Sequence, residues 1–362
     1  MGRRAIIQPP ENTNEWQSAI VLESREVAAV ASVQVDVSAC QNVARLLASR
    51  LVPKDEEDSV LASFNRVESG NYYLLLVAIC HQTSPRGRLP LMGTVGGVER
   101  RGWDYLSAKF ESAARADRSL LEPGHWSRMD VGEVSTIFRD DALGDRLSEP
   151  AHRTALVRDL GRVMIENGWN WFEELFHLCQ GRVATGEPNL FELLTKFVAY
   201  RDPVRKKSSF LLALMRNSRL WQFQDNEKLG PPVDYHEVRG HLRIGTIVVN
   251  DPSLRNKLLN AEEVASQEDV AIRGAVYDAI MLISELTGLR NPSQLHYLFW
   301  NVFRTHCLRE SPLCFAEASA LPQRYQHLAT FGSEKRCPFS GVCASATTPK
   351  RYFEHVFETD YY

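Results

Sequence analysis

Residues 231–245 read Pro-Pro-Val-Asp-Tyr-His-Glu-Val-Arg-Gly-His-Leu-Arg-Ile-Gly. Two prolines end whatever precedes them, because each lacks an amide hydrogen and fixes φ. Asp234 is then a good N-cap for a helix that runs on through Val238 and Leu242. The positive end of the helix dipole favours negative charge at that position. The plainer role for such an aspartate is capping alone; the chemical role is an anion presented at a fixed place.

Upstream, residues 202–215 read Asp-Pro-Val-Arg-Lys-Lys-Ser-Ser-Phe-Leu-Leu-Ala-Leu-Met. On a helix Lys207 shares a face with Phe210, Leu211 and Leu214, whereas Lys206 has Ser209, Phe210 and Ala213 as neighbours. Lys207 is therefore expected to face the core. A desolvated amine has a lowered pKa and can act as a Schiff-base nucleophile. The plainer alternative is a stem that covers apolar surface while the ammonium reaches water.

The whole chain has 362 residues, enough for two domains or for one large domain with an appendage. Its 44% apolar and 24% charged content excludes disordered and collagen-like classes. A net charge of -3 gives no overall attraction for a polyanion, so contact with nucleic acid rests on a local patch. Residues 201–260 supply one, with eleven Lys/Arg against six Asp/Glu. No signal-like or membrane-spanning apolar run occurs, and the expectation is a cytoplasmic, monomeric protein without a membrane partner.

Residues 1–24, with Pro9 and Pro10, are expected to form an extended arm. Residues 38–51 carry Val43, Leu46, Leu47 and Leu51 on one helical face. The apolar run 71–80 suits a buried strand or a buried helix equally, and the glycine-rich stretch 84–97 a loop or small ribbon. Helical periods recur over 151–166, 170–178, 191–199, 203–215 and 270–286. The chain is thus expected to be mainly α, divided as a mixed lobe over 25–150, a helical domain over 151–305 and a C-terminal module over 306–362.

The string Pro232-Val233-Asp234-Tyr235-His236, followed by Arg239, Arg243 and Gly245, resembles the proline-valine-aspartate-x-histidine signature of the helix-hairpin-helix DNA glycosylase superfamily. The lysine-bearing helix about 27 residues before it is similar to the Schiff-base helix of archaeal 8-oxoguanine glycosylases. Ala271-Ile272-Arg273-Gly274 and Leu295-His296-Tyr297-Leu298-Phe299-Trp300 resemble the closing helices of those enzymes and of the queuosine-nucleotide N-glycosylase (queuosine salvage) family. The second likeness extends through Gly102-Trp103, residues 130–134, Arg139-Asp140 and residues 200–202. The glycine-rich hairpin that classical members place before the lysine is absent here.

The resemblance implies a helix-hairpin-helix glycosylase-like two-lobed helical fold, with a small mixed α/β N-terminal portion and a C-terminal cysteine module. It implies an N-glycosylase that flips out and excises a modified or damaged base from DNA, including a hypermodified phage cytosine in antiviral defence. The alternatives are a queuosine 5'-phosphate N-glycosylase acting on a small nucleotide, and a non-catalytic nucleic-acid-binding helical protein. Asp234 takes the role of the catalytic anion beside C1', and Lys207 or Lys206 that of a lyase nucleophile. Trp169, Trp171, Trp221, Phe223, Tyr235, His236, His296, Phe299 and Trp300 are the aromatic candidates for a base pocket. Arg205, Arg216, Arg239 and Arg243 are the candidate phosphate contacts.

Cys307-x6-Cys314 and Cys337-x5-Cys343 reproduce the first and last spacings of the cysteine loop of endonuclease-III-like glycosylases, with 22 residues between the pairs. Four thiolates in this arrangement suit a 4Fe-4S cluster or a structural Zn²⁺. The plainer reading is a set of unrelated buried thiols.

Overall fold

A computed structural model describes residues 32–48, 63–84, 89–289, 292–315 and 337–362. The expected arm over 1–24 lies outside them. The described residues are mainly helical, with two small antiparallel strand pairs. In chain order the elements are β1 (Val33–Val35), α1 (Val37–Ala48), α2 (Arg66–Ala78), β2 (Met92–Val95), β3 (Val98–Arg101), α3 (Trp103–Ala116), α4 (Pro123–Trp126), α5 (Val131–Phe138) and α6 (Pro150–Glu166). There follow α7 (Glu173–Leu178), α8 (Leu190–Leu194), α9 (Lys206–Asn217), α10 (Tyr235–Ile244), β4 (Ile247–Val249), α11 (Pro252–Asn260), α12 (Ser266–Thr287) and α13 (Pro292–Thr305). Among the described residues no helix is long and apolar enough to cross a membrane.

The ambiguous run 71–80 is helical, and the reason lies just before it. Asn65 Oδ1 accepts from the Glu68 amide at 3.0 Å while Glu68 Oε2 accepts from the Asn65 amide at 2.9 Å, a reciprocal cap that starts α2. The run is apolar on every face because α2 lies inside a lobe, with Tyr72 to Ala78 all buried. The expected ribbon is the β2–β3 hairpin, in register from Met92 opposite Arg101 to Val95 opposite Val98. The helical period over 191–199 is realised as α8 and a separate short turn at Val198–Tyr200.

Two apolar cores organise the chain. The first runs from Phe64 to Leu229. The second joins α1, β1 and β4 to α10, α11, α12 and α13, and also takes in Phe339. A boundary at 150/151 is therefore incorrect: Val134 and Phe138 before it share one core with Leu156 and Leu160 after it. Helix α1, sequentially in the N-terminal part, belongs to the second core, to which β1 ties it by pairing Val33 with Val249 and Val35 with Ile247. The lobes meet at residues 230–232, where the two prolines precede Asp234.

A buried ionic network crosses this seam. Arg273 on α12 donates to both oxygens of Asp202, each at 2.9 Å, and to both oxygens of Asp269, at 3.0 and 2.8 Å. Asp269 Oδ1 also accepts from the Tyr362 hydroxyl at 2.7 Å and lies 2.7 Å from His355 Nε2. Burial alone would raise the Asp269 pKa, but Arg273 and then His355 outweigh it and hold the carboxyl well below the usual range.

Gly240 explains how α10 and α13 approach so closely. A Cβ there would lie 2.1 Å from Phe303 Cδ2, inside contact distance. Gly240→Ala is expected to force the helices apart and lower stability by about 1–3 kcal/mol, the usual range for overpacking. A urea midpoint equal to that of the wild type would show that this crossing yields without cost.

Candidate active site

Asp234 caps α10 as its sequence suggests, and does more than cap. Its Oδ1 accepts from the amides of His236 and Glu237 at 2.7 and 3.3 Å. Its Oδ2 accepts from the indole Nε1 of Trp300, on α13, at 2.9 Å. Capping fixes one oxygen through the helix N-terminus, and the tryptophan fixes the other across a helix–helix crossing. The side chain sits half-buried at the seam between the lobes.

Glu237 is the third residue of α10, and its Oε2 accepts from the Asp234 amide at 3.2 Å, completing a capping box. It is fully buried, and burial together with the negative charge of Asp234 pushes its carboxyl well above the usual range. Its Oε1 lies 2.8 Å from Nδ1 of the buried His296, which binds α10 to α13 a second time. Asp234 stood out in the sequence, and Glu237, whose pairing with His296 joins residues 59 positions apart, did not.

Three of the aromatic candidates surround this carboxylate. The Tyr235 and His236 rings lie 4.2 Å apart, and His236 meets Trp300 edge-on at 6.3 Å. Burial and then the charge of Arg239 bring the His236 pKa well below its ordinary value. Its Nδ1 accepts from Arg239 Nη2 at 2.8 Å, so the imidazole is neutral with its proton on Nε2. Burial and the charge of Asp234 raise the Tyr235 phenol to about 12.

The remaining aromatic candidates belong elsewhere. Trp221 is buried in the first core between Phe172 and Phe176, with ring centroids 4.7 Å from each. Phe223 packs on the same cluster, and Trp169 packs on Phe197. Trp171 lies on the first lobe beside them, its amide bonded to Glu174. Phe299 stacks on Phe303 inside the second core. Trp169, Trp221, Phe223 and Phe299 are packing groups, because large aromatic side chains contribute most where they are removed from water.

Lys207 faces the core as its helical position predicts, but it is enclosed there rather than open to a substrate. It is fully buried and donates to the carbonyl oxygen of Ala78, at the end of α2, with His81 Nδ1 at 3.5 Å. Arg153 donates to the neighbouring carbonyls of Ile79 and His81. The two cations thus satisfy the negative end of α2. Burial brings the Lys207 ammonium down from 10.5 to about 8, yet a nucleophile must also be reachable, and this one is not. Lys206 is half-buried, lies over the Phe210 ring at 4.9 Å, and is the lysine whose charge acts on Glu237.

The expected phosphate contacts are also corrected. Arg239 is buried and spends its guanidinium on Glu354 Oε2 at 2.8 Å, the Cys307 carbonyl at 2.6 Å and His236. Arg243 is buried and donates to the carbonyls of Tyr352, Leu308 and Arg309, each at 2.7 Å. Both hold the C-terminal module onto α10, and both are buried away from any phosphate. Arg205 lies over Phe191 at 4.8 Å, and Arg216 bonds Asn217 and Ser293, linking α9 to α13. Of the basic residues over 201–260, Lys207, Arg239 and Arg243 are buried, whereas Arg201, Arg219, Lys228 and Arg255 are exposed.

Glu354, 115 residues from Arg239, had no signal in the sequence. Burial would raise its pKa, but Arg239 and then Arg309 bring it from its ordinary 4.5 to about 2. A carboxyl depressed on folding stabilises the fold fully above its unfolded value and loses that contribution as pH falls through the folded one. The thermal midpoint is therefore expected to decline as pH is lowered from about 4.5 to about 2, and Glu354→Gln should flatten part of that decline. An identical acid profile in the variant would contradict the assignment.

The four C-terminal cysteines converge. Cys307, Cys314, Cys337 and Cys343 line one cavity with Arg243, Phe303, His306 and Phe339. Donors are aimed at the sulfurs: Arg243 Nη1 donates to Cys307 Sγ at 3.4 Å, and the amides of Phe339 and Ser345 bond Cys337 and Cys343. Burial raises the Cys343 thiol to about 11 and the Cys337 thiol further. Amide and guanidinium donors stabilise sulfur in its charged form, but Cys343 Sγ donates to the Arg243 carbonyl at 3.2 Å, and among the described residues no group of three or more His, Cys, Asp or Glu side chains is placed to hold a metal ion. A 4Fe-4S cluster or Zn²⁺ held there would tie residues 307–314 to 337–343. The module is in turn bonded to the far end of α10, where the carbonyls of Arg243 and Ile244 accept from Ser345 and Ala344 at 2.9 and 3.0 Å. The helix that presents Asp234 is thus braced at its C-terminal end by the cysteine module.

Comparison with known proteins finds no family model that matches this chain and no curated protein that matches it.

Proposed function

We propose that this protein hydrolyses the N-glycosidic bond of a modified nucleotide, acting as a DNA base-excision glycosylase with Asp234 as its catalytic anion. The observation that carries the reading is the double anchoring of Asp234 by the α10 amides and by Trp300 Nε1 at the seam of the two lobes. Cleavage of such a bond passes through a sugar cation at C1', and a fixed anion beside it stabilises that state or orients the attacking water. Tyr235, His236 and Trp300 supply flat surfaces for the departing base. With Lys207 enclosed, base release proceeds without strand scission by that residue; any lyase step would fall to Lys206.

A second reading, release of the base from a free nucleotide such as queuosine 5'-phosphate, is favoured by one observation. Arg239 and Arg243 are consumed inside the protein, which removes two of the expected contacts to a long phosphate backbone. Whether the four cysteines hold a 4Fe-4S cluster or Zn²⁺ is tested by iron, sulfide and zinc analysis of the purified protein.

One experiment tests the main reading. The protein is incubated with duplex DNA containing 8-oxoguanine, duplex DNA containing glucosylated hydroxymethylcytosine, unmodified duplex and queuosine 5'-phosphate, and free base is sought by mass spectrometry. Release from modified DNA supports the first reading and release from the nucleotide alone the second. Tight binding to DNA with no base released from any of them would favour a non-catalytic protein.

A further inference from the structure

We propose that Arg304, supported by Arg309, forms the phosphate-binding rim of the Asp234 site and recognises a phosphate of the nucleotide whose base is removed. This rests on the glycosylase reading and supplies what that reading lacks, a grip on the charged part of the substrate. The glycine-rich hairpin that would serve elsewhere is missing from residues 202–207, and Arg239 and Arg243 are committed to internal partners.

The geometry singles out Arg304. Its guanidinium lies 4.6 Å from the centre of the Trp300 ring, the same ring whose Nε1 holds Asp234. Among the described residues no carboxylate pairs with it, and its side chain is only partly buried. Stacking on the indole holds the planar group in place while leaving its edge donors unspent, a state suited to bidentate contact with phosphate oxygens. Arg309 is arranged similarly on the other flank, 5.2 Å from the Tyr235 ring centre and tethered by Glu354 and by the Ser84 carbonyl.

Charge balance points the same way. His236 lies between the two stacked rings and is acted on by Arg239, Arg304 and Arg309 together. Two of these three guanidinium groups, those of Arg239 and Arg309, pair with Glu354. Among the described residues Arg304 is the one of the three with no carboxylate partner. An anionic centre with a cationic rim suits a nucleotide, whose sugar turns cationic at C1' while its phosphate stays negative. The phosphate could be a backbone diester or a free 5'-monoester, and the test separates these sources.

Binding is measured in the Asp234→Asn background, so that no turnover intrudes, with and without Arg304→Gln. The probes are a duplex containing a tetrahydrofuran abasic analogue, queuosine 5'-phosphate and queuosine nucleoside. We expect Arg304→Gln to weaken a phosphate-bearing probe about tenfold, to leave the nucleoside unchanged, and to lower the salt slope for the duplex by about one. Arg304→Lys, which keeps the charge but not the planar fork, should restore the salt slope while recovering only part of the affinity, a split that a merely structural role would not predict. Whichever phosphate-bearing probe binds identifies the source. Unchanged affinity and salt slope in Arg304→Gln would overturn the proposal, as would failure of both phosphate-bearing probes to bind the parent protein. If the Arg304 effect appears but wild-type protein releases no base from any substrate, the phosphate site stands and the glycosylase reading fails alone.

Discussion

Replacing Asp234 by asparagine is expected to reduce base release by at least about a hundredfold while leaving the thermal midpoint close to that of the wild type. The two expectations separate because asparagine caps a helix as well as aspartate does and still offers an oxygen to the amides of His236 and Glu237. The amide can also continue to accept from Trp300 Nε1. What it cannot supply is the negative charge that a cationic transition state requires. Asp234→Ala, by contrast, removes the cap and leaves the indole donor unpaired, costing about 1 kcal/mol or more of stability besides the activity. Asp234→Asn activity within tenfold of wild type, with the fold intact, would reduce Asp234 to a helix cap.

The largest loss of stability is expected from Arg273→Met. Arg273 is fully buried and serves Asp202 from the first lobe and Asp269 from its own helix at once. Methionine fills a similar volume, so the change leaves little cavity but strands two carboxylates away from water. Removing one partner of a buried ionic network typically costs about 3–5 kcal/mol. Because Asp202 lies immediately before α9 while Asp269, His355 and Tyr362 lie with the second lobe, the loss should also loosen the seam where Asp234 sits. Urea denaturation measures it, and a shift below about 1 kcal/mol would show that the network does not hold the lobes together. Adding Asp202→Asn and Asp269→Asn should recover part of the loss, since the stranded charges are then removed.

The sequence carried the local features well and the distant ones poorly, for a physical reason. Asp234 obeys a rule that operates within one turn of a helix, so the start of α10 can be read directly, whereas the reciprocal bond of Glu237 and the left-handed Gly245 come from the structure. The inward direction of Lys207 follows from helical spacing alone. Whether a buried lysine meets a substrate or a carbonyl depends on α2, some 130 residues earlier, and spacing does not encode that. Arg239 and Arg243 looked like surface cations because nothing near them in sequence announces Glu354 or the carbonyls of 308, 309 and 352. The tryptophans of the first lobe looked like base-stacking candidates for the complementary reason, since an aromatic ring in a core and one in a pocket share the same sequence. The four C-terminal cysteines line one cavity, which their clustering in the sequence made a natural expectation.

The most direct test of the account is to carry out the reaction in oxygen-18 water and to weigh both products. If Asp234 promotes attack of water at C1', wild-type protein releases an unlabelled free base from one of the modified substrates, and the label appears on the anomeric oxygen of the sugar. Asp234→Asn protein should yield neither product above background. Absence of free base from every substrate, or a released base whose partner sugar carries no label, would contradict hydrolysis at the anomeric carbon.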